Sequence, residues 1–235
     1  MTGLKEEKRP LQNSKKKWEL LANLFSVFSM IAGLLSIYLS FETNWDLAAR
    51  FIFLGLVFDF MDGFVAKRTG CESAIGKELD SFGDFIVSGV AVFFLLFNLF
   101  SNMFPLNLFF ILIPIATEIR LAKFNVQNDK ENFIGIPTFI TSIILCALVV
   151  AQIHTFEIIL GFAIVLSFLM ISNIKIPTFN TIKRRVGIVY IVLFLMVMLV
   201  TFFYYPLLII AFIAIYLIIS KQNRCARFLY KYLIR

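Results

Sequence analysis

Long apolar runs separated by short polar connections set the pattern of this chain. They lie at roughly 19–40, 46–66, 79–100, 105–125, 136–152, 156–173, 186–204 and 206–220. A helix needs about 20 apolar residues to cross the hydrocarbon of a bilayer, and most of these runs supply them. The pair 136–152 and 156–173 is shorter and is parted only by Ile153-His154-Thr155. The pattern predicts an all-α fold, a polytopic integral membrane bundle of about eight transmembrane helices. Residues 1–18 read as a basic segment at the membrane interface, 181–220 as two additional spans, and 221–235 as a basic amphipathic tail.

Charge then orients the bundle. The chain is 60% hydrophobic and only 16% charged, whereas about a quarter of an ordinary soluble domain is charged. With eight spans, every Lys and Arg except Arg50 falls at the termini or in connections on one side. The positive-inside rule makes that side cytoplasmic, with both termini there. The net charge of +7 at pH 7 is then accounted for by topology and by attraction to anionic lipid, with no nucleic-acid partner. The first 17 residues are polar and lead into a full-length apolar run, so no cleavable signal peptide is expected. Cys71, Cys146 and Cys225 are scattered without metal spacing, and His154 stands alone in a connection. Lys15-Lys16-Lys17-Trp18 suits the headgroup layer. In the tail, Arg224, Arg227, Lys231 and Arg235 lie opposite Phe228, Leu229, Tyr232 and Leu233, as in a helix lying on the inner leaflet. A merely solubilising tail is the alternative.

Against this apolar background stand Asp59, Asp62, Asp80 and Asp84. A carboxylate at membrane depth costs several kcal/mol unless neutralised, and is a functional-site hypothesis by default. Asp59 and Asp62 share a face near the cytoplasmic end of the second run. Asp80 and Asp84 share a face at the start of the third, and the short link 68–77 brings the two ends together. Oxygen-rich clusters of this kind suit hard divalent cations, which also take oxygens from a phosphate substrate. Gly63 and Gly76 leave room for a nucleotide or pyrophosphate to approach the backbone. Lys67 and Arg68 supply positive charge beside it. The competing reading, in which the acids are salt-bridged to Lys67, Arg68 and Lys77, leaves their spacing unexplained.

That spacing, Asp59-x2-Asp62-Gly63-x2-Ala66-Lys67-x8-Gly76-x3-Asp80-x3-Asp84, resembles the motif of the CDP-alcohol phosphotransferases. The chain departs from it at Lys67, where the family usually has Arg, and Arg68 follows. Either cation qualifies for the nucleotide phosphates. The resemblance implies that Asp59, Asp62, Asp80 and Asp84 hold two divalent ions, Mg²⁺ or Mn²⁺, and that Asp84 is the base. It implies CDP contacts from Asp62, Gly63, Ala66, Lys67, Arg68 and Gly76, and from Asn23 and Ser26 on the first span. The core of this type would cover 19–180.

Three further stretches resemble the phosphatidylserine synthase branch: Arg120-Leu-Ala-Lys123-Phe-Asn125, Phe133-Ile-Gly135-Ile-Pro137 and Ser172-Asn-Ile-Lys175-Ile-Pro177. They imply L-serine as acceptor and a CDP-lipid as donor, at the cytoplasmic face of a multi-pass cell-membrane protein. Arg120 or Lys123 would meet the serine carboxylate, and Glu118 or Asn125 its ammonium. Simple snorkelling of Arg120 and Lys123 is the bland alternative. Homodimers are usual among such proteins, so a homodimer is one expected state. An archaetidylserine synthase using an ether isoprenoid donor, or a relative with another acceptor, fits the same motif. A cation or proton transporter is the reading from a different class. The clustering of all four acids near one face, and the lack of an internal repeat, argue against it.

Overall fold

The computed structural model describes residues 8–71, 73–126 and 132–177, together with Phe202, Tyr204, Pro206 and Leu208. Small residues recur on one side of the first helix, α1 (Lys8–Phe41). Ala22, Ser26, Ser29, Gly33, Ser36 and Ser40 are spaced alternately four and three apart and are buried. On the outer side Leu20, Leu24, Ile31, Leu34 and Tyr38 are exposed. This inverts the amphipathicity of a water-soluble helix. It is what lipid favours, where close backbone approach and hydrogen bonding join helices and apolar side chains face outward.

A short turn returns the chain as α2 (Trp45–Thr69), which packs along the small-residue face of α1. Ser29 Oγ donates to the Gly55 carbonyl at 2.9 Å. Helix α3 (Ala74–Asp84) runs on through a π-helical stretch, Phe85–Ala91, into α4 (Val92–Leu99). The π stretch wedges Val87 between the first two helices. A Cβ at Gly33 would come within 3.0 Å of Val87 Cγ2, and one at Gly55 within 3.0 Å of Val87 Cγ1. A side chain on either side of the wedge would press on Val87, which would have to shift by a few tenths of an ångström.

Among the described residues two helices, Lys16–Phe41 and Ala74–Leu99, are long and apolar enough to cross a bilayer, matching the runs at 19–40 and 79–100. The run at 105–125 begins differently from expectation. Its first turns are 3₁₀, Leu106–Ile111, before α5 (Leu112–Val126). The chain then forms α6 (Thr138–Val150) and α7 (Phe156–Ile171), so the break expected near 153–155 is present. These two have 13 and 16 residues, lengths of about 20 and 24 Å at 1.5 Å per residue. Each falls short of a hydrocarbon core about 30 Å thick. Nearly all of α6 is buried, and it lies against α2, α7 and the π stretch. Around it gather Ile52, Leu95, Phe110, Ile113, Leu145 and Ile159. Phe202 stacks on Phe53 with ring centroids 4.0 Å apart.

The all-α expectation holds apart from one short ribbon. The segment entering α6, β1 (Asn132–Ile134), pairs antiparallel with the segment leaving α7, β2 (Lys175–Pro177), Phe133 opposite Ile176. Backbone outside a helix still needs hydrogen-bond partners, and these two strands satisfy each other. Two of the stretches singled out in sequence are thus halves of one ribbon. Gly135 follows at φ +75°. A Cβ there would fall 2.0 Å from the Met170 carbonyl oxygen, and its N–H donates to Ile174 O at 2.9 Å. The expected span at 186–204, apart from Phe202 and Tyr204, lies outside the described residues. So do the span at 206–220, apart from Pro206 and Leu208, and the tail at 221–235.

Candidate active site

The acidic site is built where α2 ends and α3 begins. Gly70, in the left-handed conformation at φ 62°, closes α2 with its N–H on Ala66 O. Ser73 opens α3 by accepting from Gly76 N–H at 3.0 Å, a cap of the kind that satisfies a free helix terminus. The tight link sets the last turns of α2 beside the first turns of α3. Carboxylate oxygens of Asp59, Asp62 and Asp80 then lie within 4.8 Å of one another. Helix α1 closes one side: Ser26 Oγ donates to Asp62 Oδ2.

Asp59 Oδ1 is buried with no hydrogen-bond partner. An unpartnered carboxylate oxygen of this kind is costly, and here it sits among others of like charge: Asp84, Asp80 and Asp62 all act on Asp59. Three converging carboxylates with a free buried oxygen fit a hard divalent cation by donor type and by geometry.

Asp84 stands outside that group of three. It faces α6 and the π stretch, where Thr138 Oγ1 donates to it at 3.1 and 3.2 Å to its two oxygens. Ser88 Oγ lies 3.3 Å from Oδ1. Behind Thr138, Arg120 Nη1 donates to the threonine hydroxyl at 3.2 Å. Arg120 is buried, and its charge acts on both Asp84 and Asp59. It is the cation of this half of the site. On the other half, the charge of Lys67 acts on Asp80.

The remaining residues singled out in sequence fall as follows. A Cβ at Gly63 would meet nothing within 4 Å, so its side of α2 is open. At Gly76 a Cβ would lie 2.9 Å from Asn23 Oδ1, so the missing side chain there makes room for Asn23. Lys67 and Arg68 are exposed and Ala66 half-buried; Arg68 lies over the Phe64 ring at 6.0 Å. Of the four residues expected to meet the acceptor, Arg120 reaches the acids, and Asn125 Nδ2 donates to Ser81 Oγ at 3.2 Å. Lys123 Nζ instead donates to Ile171 O at 2.7 Å, closing the end of α7. Glu118 is exposed. Two residues along a helix are about 200° apart, so burying Arg120 turns Glu118 outward, and the structure does not bring it to the acids. Sequence reasoning passed over Thr138, Ser88 and Ser81. The one signal was positional: Thr138 is a polar residue between Pro137 and an apolar run.

The model of a family described as CDP-alcohol phosphatidyltransferase matches residues 19–171. A CDP-diacylglycerol–serine O-phosphatidyltransferase of Helicobacter pylori is 32% identical over 189 residues, covering 74% of this chain and 78% of that protein. One from Methanocaldococcus jannaschii is 34% identical over 169 residues, covering 71% and 78%. An archaetidylserine synthase of Methanothermobacter thermautotrophicus is 30% identical over 174 residues, covering 71% and 74%.

Proposed function

The chain belongs to the CDP-alcohol phosphatidyltransferase family, and we propose that it transfers the phosphatidyl group of CDP-diacylglycerol to L-serine, giving phosphatidylserine and CMP. The observation that carries this reading is the division of the acids. Asp59, Asp62 and Asp80 form one cluster, while Asp84, at the edge of that cluster, takes hydroxyl donors from Thr138 and Ser88.

In this reading Asp84 takes the proton of the serine hydroxyl, a general-base role open to a carboxylate within reach of its substrate. The serine oxygen attacks the phosphorus of the phosphatidyl group. The bond from that phosphorus to the CMP oxygen breaks, and CMP leaves with the electron pair. Asp59, Asp62 and Asp80, with Asp84 at the edge of the cluster, would hold two divalent cations, Mg²⁺ or Mn²⁺. When bound, these supply positive charge to the pyrophosphate oxygens. Lys67 and Arg68 add charge at the phosphates. Asn23 and Ser26 face the nucleotide from α1, and the open side of Gly63 admits it. Arg120 puts a buried positive charge beside Asp84, where the serine carboxylate would arrive, with Lys123 and Asn125 at the rim.

The active site then lies at the cytoplasmic end of a multi-pass cell-membrane protein, in a core over 19–180. The positive-inside distribution supports this orientation, with eight spans and both termini on the cytoplasmic side. A second reading, transfer from a CDP-linked ether isoprenoid lipid, is favoured by the similarity to an archaetidylserine synthase. The test uses purified protein with either donor, Mg²⁺ or Mn²⁺, and serine, inositol phosphate, glycerol phosphate or ethanolamine. Serine-dependent CMP release is expected, and comparing donors separates the two readings. CMP release with another alcohol but none with serine would overturn both.

A further inference from the structure

We propose that Thr138 is a positioning residue for this reaction, its hydroxyl fixing the Asp84 carboxylate against Arg120. The inference rests on Asp84 acting as the base. A guanidinium only donates, so at the 3.2 Å contact with Arg120 Nη1 the threonine oxygen accepts. Its single proton is then committed to Asp84, within 3.2 Å of both carboxylate oxygens. The order Arg120, Thr138, Asp84 therefore has one polarity, with the threonine proton fixed on the carboxylate and the orientation of that carboxylate set by it.

Thr138 is built to stay in place. It is 1% exposed, and branching at Cβ limits its rotamers. The backbone before it is tied down by Ile136 N–H on Leu169 O at 3.1 Å and by Gly135 against Met170. One turn along α6, Ser142 Oγ lies 3.3 Å from Ser88 O and 3.2 Å from Thr138 O, and shares its one proton between these two carbonyls. The start of α6 thus grips the chain at Asp84 and again at Ser88.

The test compares Thr138→Val, which keeps the shape and removes the hydroxyl, with Thr138→Ser, measuring kcat, KM for the CDP-lipid and metal-dependent CDP-lipid binding. Loss of a hydrogen bond to a charged group predicts a fall in kcat of about 10- to 100-fold for Thr138→Val. Donor KM should stay within about twofold, and Thr138→Ser should recover kcat to within about threefold of wild type. An unchanged kcat in Thr138→Val overturns the proposal. So does a loss that serine fails to recover, or one confined to donor KM. Should Thr138→Val not fold, Thr138→Ala set against Thr138→Ser decides by the same criteria. In an Asp84→Asn background, Thr138→Val should cause no further loss, and an independent multiplicative loss counts against the proposal. Near-normal turnover in Asp84→Asn removes the base assignment itself. An inactive Asp84→Asn beside a fully active Thr138→Val removes only the role of Thr138.

Discussion

The two halves of the acidic site are assembled in different ways. Asp59, Asp62 and Asp80 come from helices joined by a few residues, and their convergence follows from helical spacing and a tight link. Asp84 depends on partners far along the chain: Thr138 is 54 positions away, and Arg120 reaches it through that threonine. The first half places oxygen atoms close together. The second orients one carboxylate. Clustering charge needs only local geometry, whereas aiming a single group needs tertiary packing from several helices.

The largest effects should separate these halves. Asp84→Asn removes the base and keeps the cluster of three. Turnover should fall by about 10²- to 10⁴-fold, with metal-dependent CDP-lipid binding largely retained. Asp59→Asn or Asp62→Asn should weaken that binding directly. The metal concentration for half-saturation should rise by more than the roughly 10- to 100-fold typical of losing an outer partner. Titrating Mn²⁺ against CDP-lipid binding measures both variants. If Asp84→Asn lost binding as severely as Asp59→Asn, the division between the halves would be wrong.

A stability effect follows in size. Gly135→Ala would force an L-residue into φ +75°, and its Cβ would meet the Met170 carbonyl at 2.0 Å. The ribbon must shift, at an expected cost of about 2–4 kcal/mol, read as a lower melting temperature in detergent. Because this ribbon leads directly into Thr138, the folded fraction should also turn over more slowly while still binding CDP-lipid. An alanine variant with wild-type stability and turnover would mean that the ribbon does not support Asp84.

How much of this could be read from the sequence follows the same division. The acids, their spacing and the family were legible, because helical periodicity converts positions 59, 62, 80 and 84 directly into shared faces. The helix hairpin of α1 and α2 was legible as apolar runs, and so was the break between α6 and α7. The ribbon was not, because Phe133-Ile134 and Lys175-Ile176 pair across more than one intervening helix. Glu118 was assigned to the acceptor on its charge alone. Its exposure follows from which face of α5 buries Arg120, a choice made by packing against α7 and the π stretch rather than by the local sequence. Thr138 escaped notice because a lone hydroxyl at the start of an apolar run looks like any other; only its neighbours give it meaning.

The smallest effect bears on the one place where the chain departs from its family's motif, at Lys67 and Arg68. Both are exposed at the end of α2, but they face different neighbours. The charge of Lys67 acts on Asp80, within the cluster, whereas Arg68 lies over Phe64. Lys67 is therefore the better placed for phosphate oxygens held at the carboxylates. Lys67→Ala should raise donor KM about tenfold, equivalent to about 1.4 kcal/mol. Arg68→Ala should change it by no more than about threefold, as for an exposed charge screened by solvent. The reverse order, measured as donor KM at fixed metal, would assign the phosphate contact to Arg68, whose planar fork can reach two oxygens where the lysine reaches one.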